Sequence, residues 1–67
     1  MHNSMGILAA ESGFHLPLLV LKSGRGFYIG TANNEGPVSR ESEEYFSLQH
    51  NAVRALAQGT WTQREMA

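Results

Sequence analysis

The stretch from Leu18 to Ala32, LLVLKSGRGFYIGTA, decides the fold because it places two strand-like runs around one turn. Its first run, Leu18 to Leu21, is short and aliphatic, as expected of a buried strand. Its second run, Phe27 to Ala32, is rich in aromatic and β-branched residues, which favour strands. The breaker group between them, Ser23 to Gly26, contains two glycines and predicts the turn of a β-hairpin with Arg25 at its exposed tip.

A third strand is predicted after the turn signal of Asn33 to Pro37. Residues Val38 to Phe46 are polar at first and then aromatic, which suits a strand at the edge of the sheet. The alternative is a solvent-facing loop that becomes a strand only near Glu44. We favour the strand, which gives a small antiparallel sheet made of a hairpin and a third strand.

A helix is predicted to follow, from Leu48 to about Gln58. Ser47 is a suitable N-cap, and Gly59 is a typical C-terminal stop. The apolar stripe at helical spacing consists of Leu48, Ala52, Ala55 and Leu56. Because the stripe is narrow and its side chains are small, the helix is expected to lie close against the sheet. The chain is thus predicted to be an α+β domain with one C-terminal helix packed on the sheet.

The chain of 67 residues is long enough for one small domain, and no second domain is expected. Residues 1–15 have no clear hydrophobic period, so a short helix, a strand and a loosely ordered arm all remain open. The tail from Thr60 to Gln63 is expected to add a short strand or to cover the sheet edge. A chain this short buries only about 60% of its unfolded surface, so a homodimer would add stability and stays an option.

Composition limits the partners and the compartment of the protein. Five Lys and Arg residues against six Glu give a formal net charge of −1, which argues against non-specific binding of duplex nucleic acid. There is no cysteine, so disulfides and thiolate metal sites are ruled out and a reducing compartment suits the chain. The longest apolar run, Leu18 to Leu21, is far too short to span a membrane. We therefore expect a cytoplasmic protein.

The sequence offers little equipment for catalysis. The three histidines are scattered without helical spacing, and no Asp is available to orient one of them, so no metal or cofactor site is predicted. Glu41, Glu43 and Glu44 are more typical of a solvated face than of an acid–base pair. A non-enzymatic role is therefore predicted, and a deep pocket that held one of these glutamates beside His50 would reverse it.

The segment Ser23 to Gly30, SGRGFYIG, approaches two nucleotide-binding motifs but matches neither. A phosphate-binding loop needs a third glycine where Ile29 stands, and a helix after it. The ribonucleoprotein signature needs a small residue between its aromatics, whereas Phe27 and Tyr28 are adjacent and would point to opposite faces of a strand. Binding of single-stranded nucleic acid through the sheet aromatics is therefore the alternative to protein binding, and the less favoured one.

Five residues of types common in interfaces are candidate contacts for a protein partner: Arg25, Tyr28, Arg40, Glu43 and Trp61. Each has an ordinary structural alternative, with Trp61 in the core, Tyr28 half-buried and the charges keeping the domain soluble. Because a small domain without catalytic equipment must act by binding, we expect these residues to belong to a rigid protein-binding face.

The C-terminal half resembles a group of small phage proteins. The residues that carry the resemblance are Ser39-Arg40-Glu41-Ser42, Glu44-Tyr45, Ala52, Ala55-Leu56, Gly59 and Trp61-Thr62-Gln63-Arg64, preceded by Phe27-Tyr28-Ile29-Gly30-Thr31. Over residues 24–65 this pattern is similar to accessory proteins of proteobacterial phages and integrative elements, and most sharply to anti-CRISPR proteins. The resemblance implies a stoichiometric inhibitor that binds a protein partner, such as a CRISPR effector complex, and blocks it sterically. It supplies no family binding residues.

Overall fold

The computed structural model describes residues 5–65, in which a three-stranded antiparallel sheet is combined with two helices. The elements are α1 (Ile7–Glu11), β1 (Leu19–Ser23), β2 (Gly26–Asn33), β3 (Gly36–Arg40) and α2 (Gln49–Gln58), with the strands in the order β1-β2-β3. The predicted α+β fold, a hairpin and a third strand covered by a C-terminal helix, is confirmed. Within this part of the chain, neither helix has the length and apolar character needed to cross a membrane.

The turn of the first hairpin contains fewer residues than the four-residue breaker group that predicts it. Ser23 pairs with Gly26, so only Gly24 and Arg25 connect β1 to β2. The Arg25 amide donates to the Ser23 hydroxyl oxygen at 3.2 Å, and Gly26 has a φ of 125°, a conformation that favours glycine. Arg25 is exposed at the tip, as predicted.

Strand β3 begins inside the predicted turn signal. Asn33 pairs with Gly36 across a two-residue turn, in which the Glu35 amide donates to the Asn33 side-chain oxygen at 2.9 Å. Gly36 has a φ of 130°, which again favours glycine. The strand therefore starts at Gly36 rather than at Val38, and it ends at Arg40.

After β3 the chain leaves the sheet and rejoins it, forming a linking segment over residues 41–46. Near its start, the Ser42 amide donates to the Ile29 carbonyl at 2.9 Å. At its end, Phe46 pairs with Phe27 through two backbone hydrogen bonds of 2.7 and 2.8 Å. One residue separates Ile29 from Phe27 on β2, whereas three separate Ser42 from Phe46, so the middle of the linking segment bulges away from β2. The predicted third strand is therefore interrupted by this bulge.

Helix α2 packs through small side chains. Ala52 and Ala55 are buried, and Gly59 ends the helix in the left-handed conformation with a φ of 69°. Two details of the prediction are wrong, because the start of α2 depends on the pairing of Phe46 with Phe27 in the sheet and not on local helix propensity. The N-cap position is held by Leu48 rather than Ser47 and has no side-chain cap, and Leu48 is 51% exposed instead of belonging to the buried stripe.

The core lies on one face of the sheet, against α2. Leu18, Ile29 and Ala55 form its buried cluster. The partly buried side chains packed against this cluster are Phe46, Leu56 and Trp61. Because neighbouring residues of a strand point to opposite faces, Tyr28 lies on the other side of the sheet from Ile29. We call that side the Tyr28 face.

The two ends of the described chain also take regular positions. Of the three alternatives for residues 1–15, the structure has a short helix, α1, in which Leu8 and Ala9 are buried, while residues 1–4 lie outside the described residues. At the other end, Gln63 forms an antiparallel bridge with Ser42. The tail thus adds a strand-like pairing to the linking segment, one of its two expected roles.

Candidate functional site

The bulge of the linking segment places Tyr45 against the Tyr28 face. The two tyrosine rings meet edge to face, with centroids 5.9 Å apart and planes at 68°. The guanidinium carbon of Arg40 lies 4.8 Å from the centroid of the Tyr45 ring, and that of Arg25 lies 6.0 Å from it, both within cation–π distance. Arg40 Nη1 also donates to the Tyr45 hydroxyl. We call these four residues, Arg25, Tyr28, Arg40 and Tyr45, the Tyr45 cluster.

The two tyrosines of the cluster have different roles. Tyr28 is only 7% exposed, whereas Tyr45 is half-buried. The backbone is tightly packed here, since a Cβ at Gly30 would lie 3.0 Å from Tyr28 Cε2 and 2.2 Å from the Ser39 carbonyl oxygen. Of the two tyrosines, the one that a partner can reach is therefore Tyr45, which is not among the predicted contacts. No local pattern marks the bulge that brings it here, so the sequence carries no signal for it.

Beside the cluster lies an open pocket of about 440 Å³. The residues that line it are Arg40, Glu43, Arg64 and Glu65. Arg64 Nη1 donates to the Arg40 carbonyl at 3.2 Å. Arg40 Nε is buried and has no hydrogen-bond partner within residues 5–65. The pocket therefore combines two guanidinium groups with two carboxylates, and one guanidinium has an unused donor.

A second charged group of the linking segment, Glu41, is fully buried. One of its carboxylate oxygens accepts hydrogen bonds from the Leu8 amide at 3.0 Å and from Gln63 Nε2 at 2.8 Å. The other oxygen accepts from the Ala9 amide at 3.0 Å and from the Ser39 hydroxyl at 2.6 Å. All four donors are uncharged, so hydrogen bonds alone compensate this carboxylate for its lost hydration.

These contacts make Glu41 a capping group. Burial by itself raises the pKa of the Glu41 carboxyl, but the hydrogen bonds from Ser39, Leu8, Gln63 and Ala9 outweigh it and leave the pKa below its ordinary value of 4.5. The two backbone donors belong to the first turn of α1, whose amides need an acceptor from outside the helix. Glu41 therefore serves the fold and has no surface that a substrate could reach.

The remaining residues considered for acid–base or metal chemistry do not come together in one site. The Thr62 amide donates to both oxygens of Glu44, at 2.9 and 3.0 Å. Burial raises the pKa of Glu44, but hydrogen bonds from the Thr62 backbone and side chain and from the backbone of Glu44 itself outweigh it and keep the pKa below its ordinary value. His50 is exposed on α2 and does not line the pocket that holds Glu43. Among the described residues, no group of three or more His, Cys, Asp or Glu side chains is placed to hold a metal ion.

The structure divides the five predicted contact residues. Arg25, Tyr28 and Arg40 meet in the Tyr45 cluster, and Glu43 lines the adjoining pocket, whereas Trp61 packs against the core cluster on the α2 side. Comparison of the chain with protein-family models, with curated proteins and with solved structures gives no match. The Tyr45 cluster and its pocket are therefore the features from which a function is inferred.

Proposed function

We propose that the protein is a non-enzymatic protein-binding module that docks through the Tyr45 cluster. The observation that carries the proposal is a half-buried tyrosine ring with two guanidinium groups against it, those of Arg40 at 4.8 Å and Arg25 at 6.0 Å. Arginine and tyrosine are among the residue types that most often dominate the binding energy of protein interfaces. The tyrosine ring buries much surface and loses little conformational freedom on binding, and the planar guanidinium of arginine is pre-organised for paired hydrogen bonds.

The order within the cluster supports a steric mode of action. Two contacts hold Tyr45 in place: its ring meets the buried Tyr28 ring edge to face, and its hydroxyl accepts a hydrogen bond from Arg40. A surface that is ordered before binding loses less conformational entropy on association. This arrangement suits a stoichiometric blocker that covers a surface of its partner, which is the action implied by the resemblance to anti-CRISPR proteins. A CRISPR effector complex is accordingly the first partner to test.

The positions of the sheet aromatics favour a protein over single-stranded nucleic acid. Stacking on a base requires an exposed ring face, and Tyr28 is 7% exposed. Phe27 points to the opposite face of the sheet, where Lys22 Nζ lies 5.7 Å from its ring centroid. The two adjacent aromatics therefore do not form one stacking platform.

Affinity capture with paired variants tests the proposal. Tagged wild-type protein, Arg25→Glu, Tyr45→Ala and Arg54→Glu are each incubated with a bacterial lysate that contains CRISPR effector complexes, and the captured proteins are quantified by mass spectrometry. Arg54 is exposed on α2, so Arg54→Glu makes the same charge change away from the cluster. We expect a protein that is retained by the wild type and by Arg54→Glu and lost with the two cluster variants.

Folding of each variant is checked by circular dichroism. Arg25 is exposed in a turn, so Arg25→Glu keeps the test valid even if Tyr45→Ala fails to fold. The proposal is wrong if every captured protein is retained equally by Arg25→Glu and by Arg54→Glu. Binding of a fluorescent single-stranded oligonucleotide that weakens steeply between about 50 and 200 mM salt would assign nucleic acid instead.

A further inference from the structure

The pocket of mixed charge beside the Tyr45 cluster has walls that are fixed by backbone pairing. Arg40 ends β3, Glu43 lies in the linking segment, and the other lining residues, Arg64 and Glu65, directly follow the tail. The Glu43 amide donates to the Thr62 carbonyl at 2.9 Å, and the Arg64 amide donates to the linking segment at 2.7 Å. These two bonds therefore hold the backbones of Glu43 and Arg64 at a set separation.

Both arginines of the pocket retain donors for a ligand. Arg40 Nη1 donates to the Tyr45 hydroxyl, and Arg64 Nη1 donates to the Arg40 carbonyl, so each guanidinium is bound to an uncharged oxygen. Arg40 Nε is buried without a partner in the described part of the chain, so the donors left for a ligand are the other N–H groups of the two guanidinium ends. Carboxylates are the acceptors whose two coplanar oxygens match a guanidinium.

The two glutamates of the pocket limit which class of macromolecule it can bind. Glu43 and Glu65 balance the two arginines, so the pocket has no net formal charge at neutral pH. A nucleic-acid backbone presents negative charge alone and would be repelled by these glutamates, whereas a protein segment can present both signs. The volume of about 440 Å³ leaves room for more than one side chain.

On the basis of the proposed protein-binding function, we propose that the pocket takes an acidic side chain of the partner between Arg40 and Arg64. In this arrangement, a Lys or Arg next to that acidic residue in the partner lies against Glu43 and Glu65. The partner segment is thus defined by an acidic residue beside a basic one.

Nuclear magnetic resonance titration of ¹⁵N-labelled protein tests this inference. The probes are the capped peptide acetyl-Gly-Glu-Lys-Gly-amide, its analogue acetyl-Gly-Gln-Lys-Gly-amide, and inorganic phosphate, and the signals followed are the arginine Nε–H resonances. We expect the Glu peptide to shift the Arg40 and Arg64 resonances and to bind about tenfold more tightly than the Gln peptide, because only it offers a carboxylate. Arg64→Gln should abolish that preference, and Arg54→Gln on α2 should retain it.

Three results would overturn the inference: no shift with either peptide, equal binding of the two peptides, or shifts at a lower concentration of phosphate than of the Glu peptide. The last result would assign the pocket to a phosphate group. The two proposals fail separately. If Arg25→Glu removes partner capture while both peptides bind alike, the protein-binding proposal stands and the carboxylate pocket is wrong. If the Glu peptide binds selectively but no protein is captured through the cluster, the carboxylate pocket stands and the protein-binding proposal is wrong.

Discussion

The substitution Glu41→Gln tests whether one buried carboxylate holds the N-terminal helix, the sheet and the tail together. Its donors come from residues 8 and 9 in α1, from Ser39 in β3 and from Gln63 in the tail. Glutamine has nearly the same shape as glutamate, so the substitution changes the charge and one acceptor while it keeps the packing. The expected loss of stability follows from which donors can find another partner.

Two of the four donors can turn away from the new side chain. The Gln63 amide can flip, and the Ser39 hydroxyl can rotate toward Thr31 Oγ1, which lies 2.7 Å away. The backbone amides of Leu8 and Ala9 cannot move independently of the helix, and glutamine offers one oxygen where glutamate offered two. A buried donor left unsatisfied costs about 1–3 kcal/mol, and loss of the charge-assisted bonds adds to this, so we expect a loss of about 2–4 kcal/mol. Domains of this length rarely exceed about 3–5 kcal/mol in total.

The same carboxylate predicts a dependence of stability on pH. The folded-state pKa of Glu41 lies below its ordinary value of 4.5, so the folded state binds fewer protons than the unfolded state in this range. Its stabilising contribution is therefore fully present above the ordinary value and is lost as the pH falls through the folded-state pKa. Glu41→Gln should show a shallower loss in acid, with the remaining slope due partly to Glu44, whose pKa is also lowered.

Urea denaturation, followed by circular dichroism and by the fluorescence of Trp61, measures these free energies of unfolding. Glu35→Gln is the matched control because Glu35 is exposed in the turn between β2 and β3, and we expect its effect to stay within about 0.5 kcal/mol. If Glu41→Gln unfolds at the same urea concentration as this control and keeps the wild-type slope in acid, the capping role of Glu41 is refuted.

Three further predictions concern packing and the cluster. Gly6→Ala should destabilise the fold by about 1–3 kcal/mol because the new Cβ would lie 2.5 Å from a threonine methyl group and 2.8 Å from the capping carboxylate. Gly24→Ala, whose Cβ meets nothing within 4 Å, should be nearly neutral, and equal thermal melting temperatures for the two variants would contradict the packing described. Trp61→Ala should lower the free energy of unfolding by about 2 kcal/mol while folded protein keeps its partner affinity, since the ring packs on the core; weaker binding by fully folded variant would restore Trp61 as a contact. Tyr45→Phe removes the hydroxyl that accepts from Arg40 and should weaken partner binding several-fold, as measured by calorimetry, and an unchanged affinity would show that the order imposed by this hydrogen bond is unimportant.

The parts of the fold that follow from local signals could be predicted from the sequence. The hairpin around Ser23 to Gly26 and the end of α2 at Gly59 depend on turn and cap chemistry within a few residues. The role of Glu41 could not be predicted in this way. Three glutamates within four residues have the pattern of a solvated face, and the one that is buried is selected by donors 32 and 33 residues earlier in the chain.

In the candidate site, too, features set by neighbouring residues could be predicted, and features set by residues far along the chain could not. Arg25 was predicted as an exposed tip because the turn that holds it is local, and it is exposed. The choice of Tyr28 as a contact residue stays a prediction, but its ring is covered by Tyr45, which reaches it only because the linking segment contains more residues than β2 opposite it. That mismatch depends on where the chain rejoins the sheet at Phe46, a pairing set by tertiary structure.

Stability and binding depend on each other through the linking segment. Glu41 anchors its start through α1 and the tail, and Phe46 anchors its end through the backbone pair with Phe27, so Tyr45 is held between two fixed points. A substitution at Glu41 should therefore displace Tyr45 and weaken partner binding without removing any contact with the partner. The guanidinium of Arg25 lies against the Tyr45 ring, but Arg25 belongs to neither of these two anchors, since its amide donates to Ser23 within its own turn. A loss of affinity at unchanged stability in Arg25→Glu is accordingly direct evidence for the interface, whereas a loss in Glu41→Gln is evidence only for the support beneath it.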